Sequence, residues 1–423
     1  MTAQKLSNIF NRVIIYGLIV LLVLMPFHAF FAIALGSLGA NRTLVQSWKE
    51  ILVLIMSAAW LGYCLTKKSI AFKRDATNIL FIIIVILSLA VTSFVNPGAS
   101  AVLYGIKTNL VAIALLLISQ IPATTKSFLK RNLHLLVIIP GLVVALLALL
   151  QFFVLKPEFL EKLGYGTSTI NPRQIVDGSL SFYRSFSTLG GPNQLGAYLI
   201  LPLVFSIVFA IRNKNPLLGL AAVPIIAAIV VSFSRSAWIG AILASITAVA
   251  IVLNNKQRIV LAVASSLVIV LAGFVLFSQI GRNSRLENVI LHGRFFENRI
   301  EGSDQQRLVA LEKSTELISQ EPFGHGLGSA GPASFQSDSP VISENWYLQI
   351  GYELGVIGLI LYIAAFVSLL GEFFRNLENS LAAALFAATI GLLATNIFLH
   401  AWADSTLVLI TFSLYGLYKG RSA

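Results

Sequence analysis

Cysteine is all but missing. Cys64 stands alone in an apolar run, so the chain can form no internal disulfide framework and no cysteine-based metal site. Charge is scarce too: 11% of residues are charged, against roughly 25% in an ordinary soluble domain. A soluble domain that is 57% hydrophobic would expose aggregating patches, and a mean hydropathy of +0.84 fits a chain whose main solvent is lipid. Metal-binding patterns are also lacking. His28, His134, His292, His325 and His400 are scattered with no ligand-like spacing, and no Asp-x-Asp pair occurs. Both absences disfavour a divalent-metal glycosyl or phosphoryl transferase, and no metal or cofactor is expected. No internal repeat is evident, so an inverted-repeat transporter gains no support. The first apolar run is too long for a cleavable signal and has no clear small-residue cleavage site.

Long apolar runs are what the chain does have. A span needs ~20 apolar residues to cross ~30 Å of hydrocarbon. Twelve are expected, near residues 13–37, 46–66, 78–96, 101–121, 133–155, 193–211, 216–233, 237–254, 258–278, 347–370, 380–400 and 405–419. The fold class is therefore all-α, a single integral membrane helical bundle over 1–423. The formal net charge of +12 would suggest nucleic acid in a soluble protein. Here it follows the helix ends. More than half of the 30 lysines and arginines fall on one side, among them Lys73, Arg74, Arg212, Arg375 and Lys419. The other side's short loops and spans hold Arg42, Lys49, Lys107 and Arg235. The positive-inside rule then predicts an inner-membrane-type protein with both termini cytoplasmic. Two long loops, 156–192 and 279–346, lie outside. The second contains a helix near 304–320, signalled by Ser303 and Gln306 in a capping box and stopped by Pro322.

Four segments at the outer mouth carry candidate chemistry. Tyr183-Arg184-Ser185 through Gly190-Gly191-Pro192-Asn193 closes the first long loop and opens a span. Its glycines and free helix amides suit a phosphate, although a plain loop-to-helix turn would look the same. Ser232-Phe233-Ser234-Arg235-Ser236 places an arginine between two apolar runs, where it marks a site or snorkels beside Trp238. Arg307 lies in the loop helix, downstream of Arg282, Arg285, Arg294 and Arg299. A guanidinium there pairs bidentately with phosphate oxygens or is simply solvated. Ser343-Glu344-Asn345-Trp346-Tyr347-Leu348-Gln349 opens another span. Glu344 at that mouth can accept a hydroxyl proton; the competing reading is a helix cap with an aromatic belt. Glu353, deeper in the same span, should face the bundle interior. His325 is a weaker candidate base or simply a turn histidine. His400 and Asp404 suggest a satisfied polar pair.

The order of these segments, followed by Glu321-Pro322-Phe323-Gly324-His325-Gly326-Leu327-Gly328 and Glu353-Leu354-Gly355-Val356-Ile357-Gly358, resembles the O-antigen ligase / O-antigen polymerase family of bacterial envelope enzymes. The resemblance covers roughly 180–360 by motif and the whole chain by topology. It implies a membrane C-type glycosyltransferase fold. It also implies metal-independent, inverting transfer of a glycan from undecaprenyl diphosphate to an acceptor hydroxyl on a glycan or lipid-linked partner. Carried residue by residue, it gives Arg235, Arg307 and Arg184 to the diphosphate, Glu344 to catalysis, and Asn193, Asn345, Gln349 and His325 to substrate binding. Ligases of this family typically carry histidine where Glu344 stands, which favours a polysaccharide polymerase over ligation onto lipid A-core or protein. A lipid-linked oligosaccharide transporter is the other class, and it would need charged residues spread through the spans. Membrane lipids are expected partners, and nucleic acid is not.

Overall fold

A computed structural model describes residues 2–95, 97–120, 127–176, 179–253, 303–336 and 340–421. The expected span 258–278 lies outside these residues, as do His292, Arg282, Arg285, Arg294 and Arg299. Among the described residues, eight helical stretches are long and apolar enough to cross a membrane, and Pro216–Val231 and Ser380–Asn396 are shorter apolar helices. The protein is a polytopic helical bundle.

The first path is broken rather than straight: α1 (Ala3–Leu24) gives way to a short turn at Met25–Phe27 and resumes as α2 (His28–Ser37). Pro26 sits in that turn and cannot donate to the preceding carbonyl ladder. The short α3 (Arg42–Gln46) leads into α4 (Trp48–Lys67), followed by α5 (Ala76–Val95). The next path, α6 (Ala99–Gly105) and α7 (Val111–Ile118), is joined by a π-helical turn at Ile106–Leu110. Then come α8 (Ser127–Phe153) and the short α9 (Pro157–Lys162). The first long loop also folds a ribbon in which β1 (Ile175–Val176) pairs antiparallel with β2 (Ser179–Tyr183); alternating polarity is too brief there to announce it. The chain continues through α10 (Pro192–Arg212), α11 (Pro216–Val231), α12 (Arg235–Val252), the loop helix α13 (Ser303–Gln320), α14 (Trp346–Phe374), α15 (Ser380–Asn396) and α16 (Ser405–Arg421).

Small residues set the packing, as expected where lipid removes the hydrophobic drive between helices. A Cβ on Gly391 of α15 would stand 2.4 Å from the Gly240 carbonyl oxygen of α12, so these helices meet backbone to backbone. Gly141 of α8 lies as tightly against Pro202 of α10. The two ends of the bundle differ in chemistry. At one, buried Lys419 reaches Asp75 at 2.8 Å and Glu372 at 2.7 Å, and the Thr77 hydroxyl also donates to Glu372. At the other, His28, Lys49, Lys107, Gln194 and Asp404 line one cavity.

Candidate active site

The site is built from three places where a helix begins. The first is the segment ahead of α10. Gln151 at the end of α8 pins it: its Oε1 accepts from the Ser185 hydroxyl at 2.9 Å and from the Phe186 and Ser187 amides at 3.1 and 2.7 Å. This holds Ser187 in a left-handed conformation, φ +53°. Arg184 is thereby aimed across the mouth. Its Nε donates to the Ser232 carbonyl at 3.0 Å and a terminal nitrogen donates to Asn193 Oδ1 at 2.7 Å. The Ser185 amide also donates to the Val231 carbonyl at 3.0 Å. Arg184 and Asn193 therefore act as a pair, and both are tied to the turn that bears Arg235.

That turn is the second place. Phe233 takes φ +51°, which stops α11 and turns the chain back into the bundle. Ser234 is the N-cap residue of α12, and half-buried Arg235 opens the helix. The Trp238 indole donates to the Ile229 carbonyl at 2.9 Å, which staples α12 to α11. Trp238 is thus an internal brace as well as a neighbour of Arg235.

The third place precedes α14. Glu344 is half-buried and left-handed, φ +55°. Asn345 caps the helix: its Oδ1 accepts from the Tyr347 and Leu348 amides at 2.8 and 3.1 Å, and its Nδ2 donates to the Ile397 carbonyl at 2.8 Å. The end of α15 links the second and third places. The Thr395 hydroxyl lies 3.4 Å from the Ser236 carbonyl oxygen, and Ile397, two residues on, holds Asn345. Arg184, Asn193, Arg235 and Glu344 are thus gathered around the same helix ends.

Other expected residues have different surroundings. Asn345 spends its side chain on the cap and on Ile397, so it positions Glu344 rather than facing a ligand. Gln349 is fully buried, with its Nε2 3.4 Å from Glu353. Trp346 is 3% exposed and packs edge-on against Trp402 and Tyr362, so it belongs to the core and not to an aromatic belt. His325 stacks on Tyr352 with ring centroids 3.9 Å apart, its Nε2 2.9 Å from Glu321. Arg307 stands in the second turn of α13; its side chain lies outside the described part of the structure. Ile318, further along α13, faces Gly351 of α14.

Glu353 does face the interior, and the reason is a clasp. Gly355 has φ +71° and ψ −179°, a break inside α14. The break frees the carbonyls of Tyr352 and Glu353, which accept from the His325 and Gly326 amides at 2.9 and 2.8 Å. The Glu353 carboxylate accepts from Asn109 at 3.0 Å and from the Gly328 amide at 3.3 Å. The glycine-rich loop is therefore sewn into the bundle between α13 and α14.

Sequence reasoning missed a polar cavity beside this mouth. His28, Lys49, Tyr104, Lys107, Gln194 and Asp404 are among the residues that line it. His28 is held between two donors' positions, with the Trp48 indole at 3.0 Å from Nδ1 and Lys49 Nζ at 2.7 Å from Nε2. Lys107 pairs with Glu50 at 2.9 Å. Burial pushes the Asp404 carboxyl above the usual carboxylate range, opposed by the Leu407 amide that it caps. The sequence signal was available: Lys49 and Lys107 are two of the few cations on the side that topology depletes of them. A second cavity, of about 530 Å³, is lined by Phe152, Phe153, Val154, Leu155, Lys156 and Arg184.

Two comparisons bear on this arrangement. The family described as O-Antigen ligase matches residues 220–363, a stretch that holds Arg235, Arg307, His325, Glu344, Asn345, Gln349 and Glu353 but not Arg184 or Asn193. An O-antigen polymerase from Salmonella muenchen is 26% identical over 221 residues, which span 50% of this chain and 52% of that protein. The chain is thus similar to the O-antigen ligase family over about a third of its length and spans about half the length of the O-antigen polymerase it matches.

Proposed function

We propose that the protein is an inverting glycosyltransferase that polymerises an envelope polysaccharide at the outer face of the bacterial cytoplasmic membrane, with both termini cytoplasmic. The donor would be a glycan on undecaprenyl diphosphate and the acceptor a second lipid-linked glycan. One observation carries the reading: Arg184, Arg235 and Glu344, from three separate segments, are anchored to the same helix ends at one mouth. Glu344 takes the proton of the acceptor hydroxyl. The acceptor oxygen forms a bond to the anomeric carbon while the bond from that carbon to the diphosphate oxygen breaks. Arg184, Arg235 and Arg307 neutralise the departing diphosphate. Preorganised donors aimed at developing charge can supply this without a metal. The cavity beside Arg184, with apolar walls from Phe152 to Leu155 and cationic Lys156 and Arg184, suits the junction of an isoprenoid tail with its diphosphate. Asn193 orients Arg184, and His325 has a supporting role through the glycine loop.

The test is polymer assembly by Glu344→Gln and Arg235→Ala variants expressed at normal levels. Loss of a general base costs ~10²–10⁴-fold in rate, and loss of one charge-stabilising donor ~10²–10³-fold. Full-length polymer from both variants would refute the mechanism. A ligase leaves the ladder of chain lengths intact on the lipid carrier, whereas a polymerase deletion collapses the ladder. Glu344 in place of the histidine typical of ligases supports the second outcome.

A further inference from the structure

The cavity beside the mouth calls for an occupant other than the diphosphate. Its residues come from distant parts of the chain, among them Gln46 and Lys49, Tyr104 and Lys107, Gln194, and Asp404. It measures about 250 Å³, just under the ~300–1,000 Å³ of sites that take drug-sized ligands, so it has room for one ring and not for a chain. Its polar groups include both donors and acceptors: amides at Gln46 and Gln194, an ammonium at Lys49, a carboxyl at Asp404. Tyr104 adds a flat face, its ring 5.4 Å from Lys107 Nζ. Charge is matched. Lys107 lies 2.9 Å and Lys49 3.6 Å from Glu50, and Asp404 adds a second carboxyl. Glu50, which stands behind the lining, pairs with both lysines and so leaves little of their charge for a diphosphate or an acidic group. Donors and acceptors together, an aromatic wall and lysines already paired describe a site for a neutral polyol ring.

Position gives the ring its role. Gln194 follows Asn193, the partner of Arg184. The wall also includes Leu399 and His400, just past Ile397, which anchors the residue after Glu344. The cavity thus sits between the diphosphate side and the base side of the mouth. The geometry points to a specificity subsite that holds one uncharged pyranose of the glycan, the acceptor's terminal sugar, through Gln46, Tyr104, Gln194 and Asp404. This rests on the glycosyltransferase reading and adds which sugars it accepts.

The experiment uses the full chain in lipid nanodiscs and saturation-transfer NMR with methyl glycosides of neutral hexoses and of N-acetylhexosamines, and with a methyl glucuronide. At least one neutral glycoside should receive saturation. Gln46→Trp, which fills the cavity, and Tyr104→Ala should weaken that binding about ten-fold, equivalent to ~1.4 kcal/mol. Gly371→Ala, near the far end of α14 and with nothing within 4 Å of the added methyl group, should bind as the unaltered protein does. Preferential binding of the glucuronide, equal binding by Gln46→Trp, or no neutral glycoside bound would overturn the subsite. A polymer assay separates the two ideas. If Glu344→Gln abolishes joining while Gln46→Trp joins normally, the subsite is wrong and the enzyme reading stands. If Glu344→Gln and Arg235→Ala join normally while Gln46→Trp loses glycoside binding, the sugar site stands and the catalytic reading is wrong.

Discussion

Gly355 is the position at which one methyl group should do most damage. It adopts φ +71° and ψ −179°, a region that is essentially glycine-only and costs other residues ~1–3 kcal/mol. A Cβ there would also stand 2.3 Å from the Pro322 carbonyl oxygen and 2.6 Å from the Phe323 carbonyl carbon. Relief requires the loop to back out. That breaks the Val356 amide to Pro322 contact at 2.9 Å and the two amide contacts from His325 and Gly326, each worth ~1 kcal/mol net. Gly355→Ala should therefore lose about 4–6 kcal/mol, a large share of the ~5–15 kcal/mol that ordinary proteins possess. The control lies in the same helix. Gly371 has nothing within 4 Å of a built Cβ, so Gly371→Ala should gain ~0.4–1 kcal/mol by restricting the unfolded chain. The assay is thermal loss of monodispersity in detergent. Gly355→Ala should melt roughly ten degrees or more below the parent, with Gly371→Ala at or above it. Equal melting of the two alanine variants would refute the clasp.

Two further outcomes follow from the packing. Gly391→Leu should push α12 from α15, because its Cβ already overlaps the Gly240 carbonyl, and so should lower both folded yield and joining per folded molecule; normal specific activity would show that the register of Arg235 against Thr395 is immaterial. Lys419→Met should strand the carboxylates of Asp75 and Glu372 and cost ~3–5 kcal/mol without altering joining per folded molecule, and a second change, Glu372→Gln, should recover part of the loss in a melting experiment.

The apolar helices among the described residues were legible because a helix in lipid announces itself over a window of about 20 residues. The start of α10 at Pro192 and the loop helix α13 were also readable, from proline and capping chemistry. The break in α14 was not. Gly355 lies in Gly-Val-Ile-Gly, an apolar run that reads as continuous helix, and it breaks only because Pro322–Gly328, some 30 residues earlier, supplies the amides. Gln151 was equally opaque: as a lone polar residue at the end of a span it gives no hint that it binds the backbone ahead of α10. Arg184, Arg235 and Glu344 were legible as types in order. Their convergence depends on Ser232, Thr395 and Ile397, which carry no chemical signal of their own. At Asn345 a cap and a ligand-binding amide look alike in sequence, and the structure shows the cap.

Backbone strain separates the mouth from the other end of the bundle. Among the described residues, five that are not glycine have positive φ: Lys68, Ser187, Lys214, Phe233 and Glu344. Lys68 and Lys214 follow the ends of α4 and α10, where a left-handed residue ordinarily closes a helix. Ser187 and Glu344 instead precede helices, and Phe233 does both, closing α11 and leading into α12; each of the three lies in one of the segments that form the mouth. Phe233 and Glu344 sit immediately before the N-cap residues Ser234 and Asn345. Left-handed conformation costs an L-residue ~1–2 kcal/mol, and it persists only where the surroundings enforce it. Glu344 is kept there, on this view, for its carboxylate. The sign of one comparison tests that. In an ordinary helix alanine is more stable than glycine by ~0.5–1 kcal/mol. At Glu344 the order should reverse: Glu344→Gly should exceed Glu344→Ala by about 1 kcal/mol, read as a higher melting point in detergent, while neither variant joins glycan. An alanine variant as stable as the glycine variant would mean that the strained backbone is not enforced, and a glycine variant that still polymerises would remove Glu344 from the reaction.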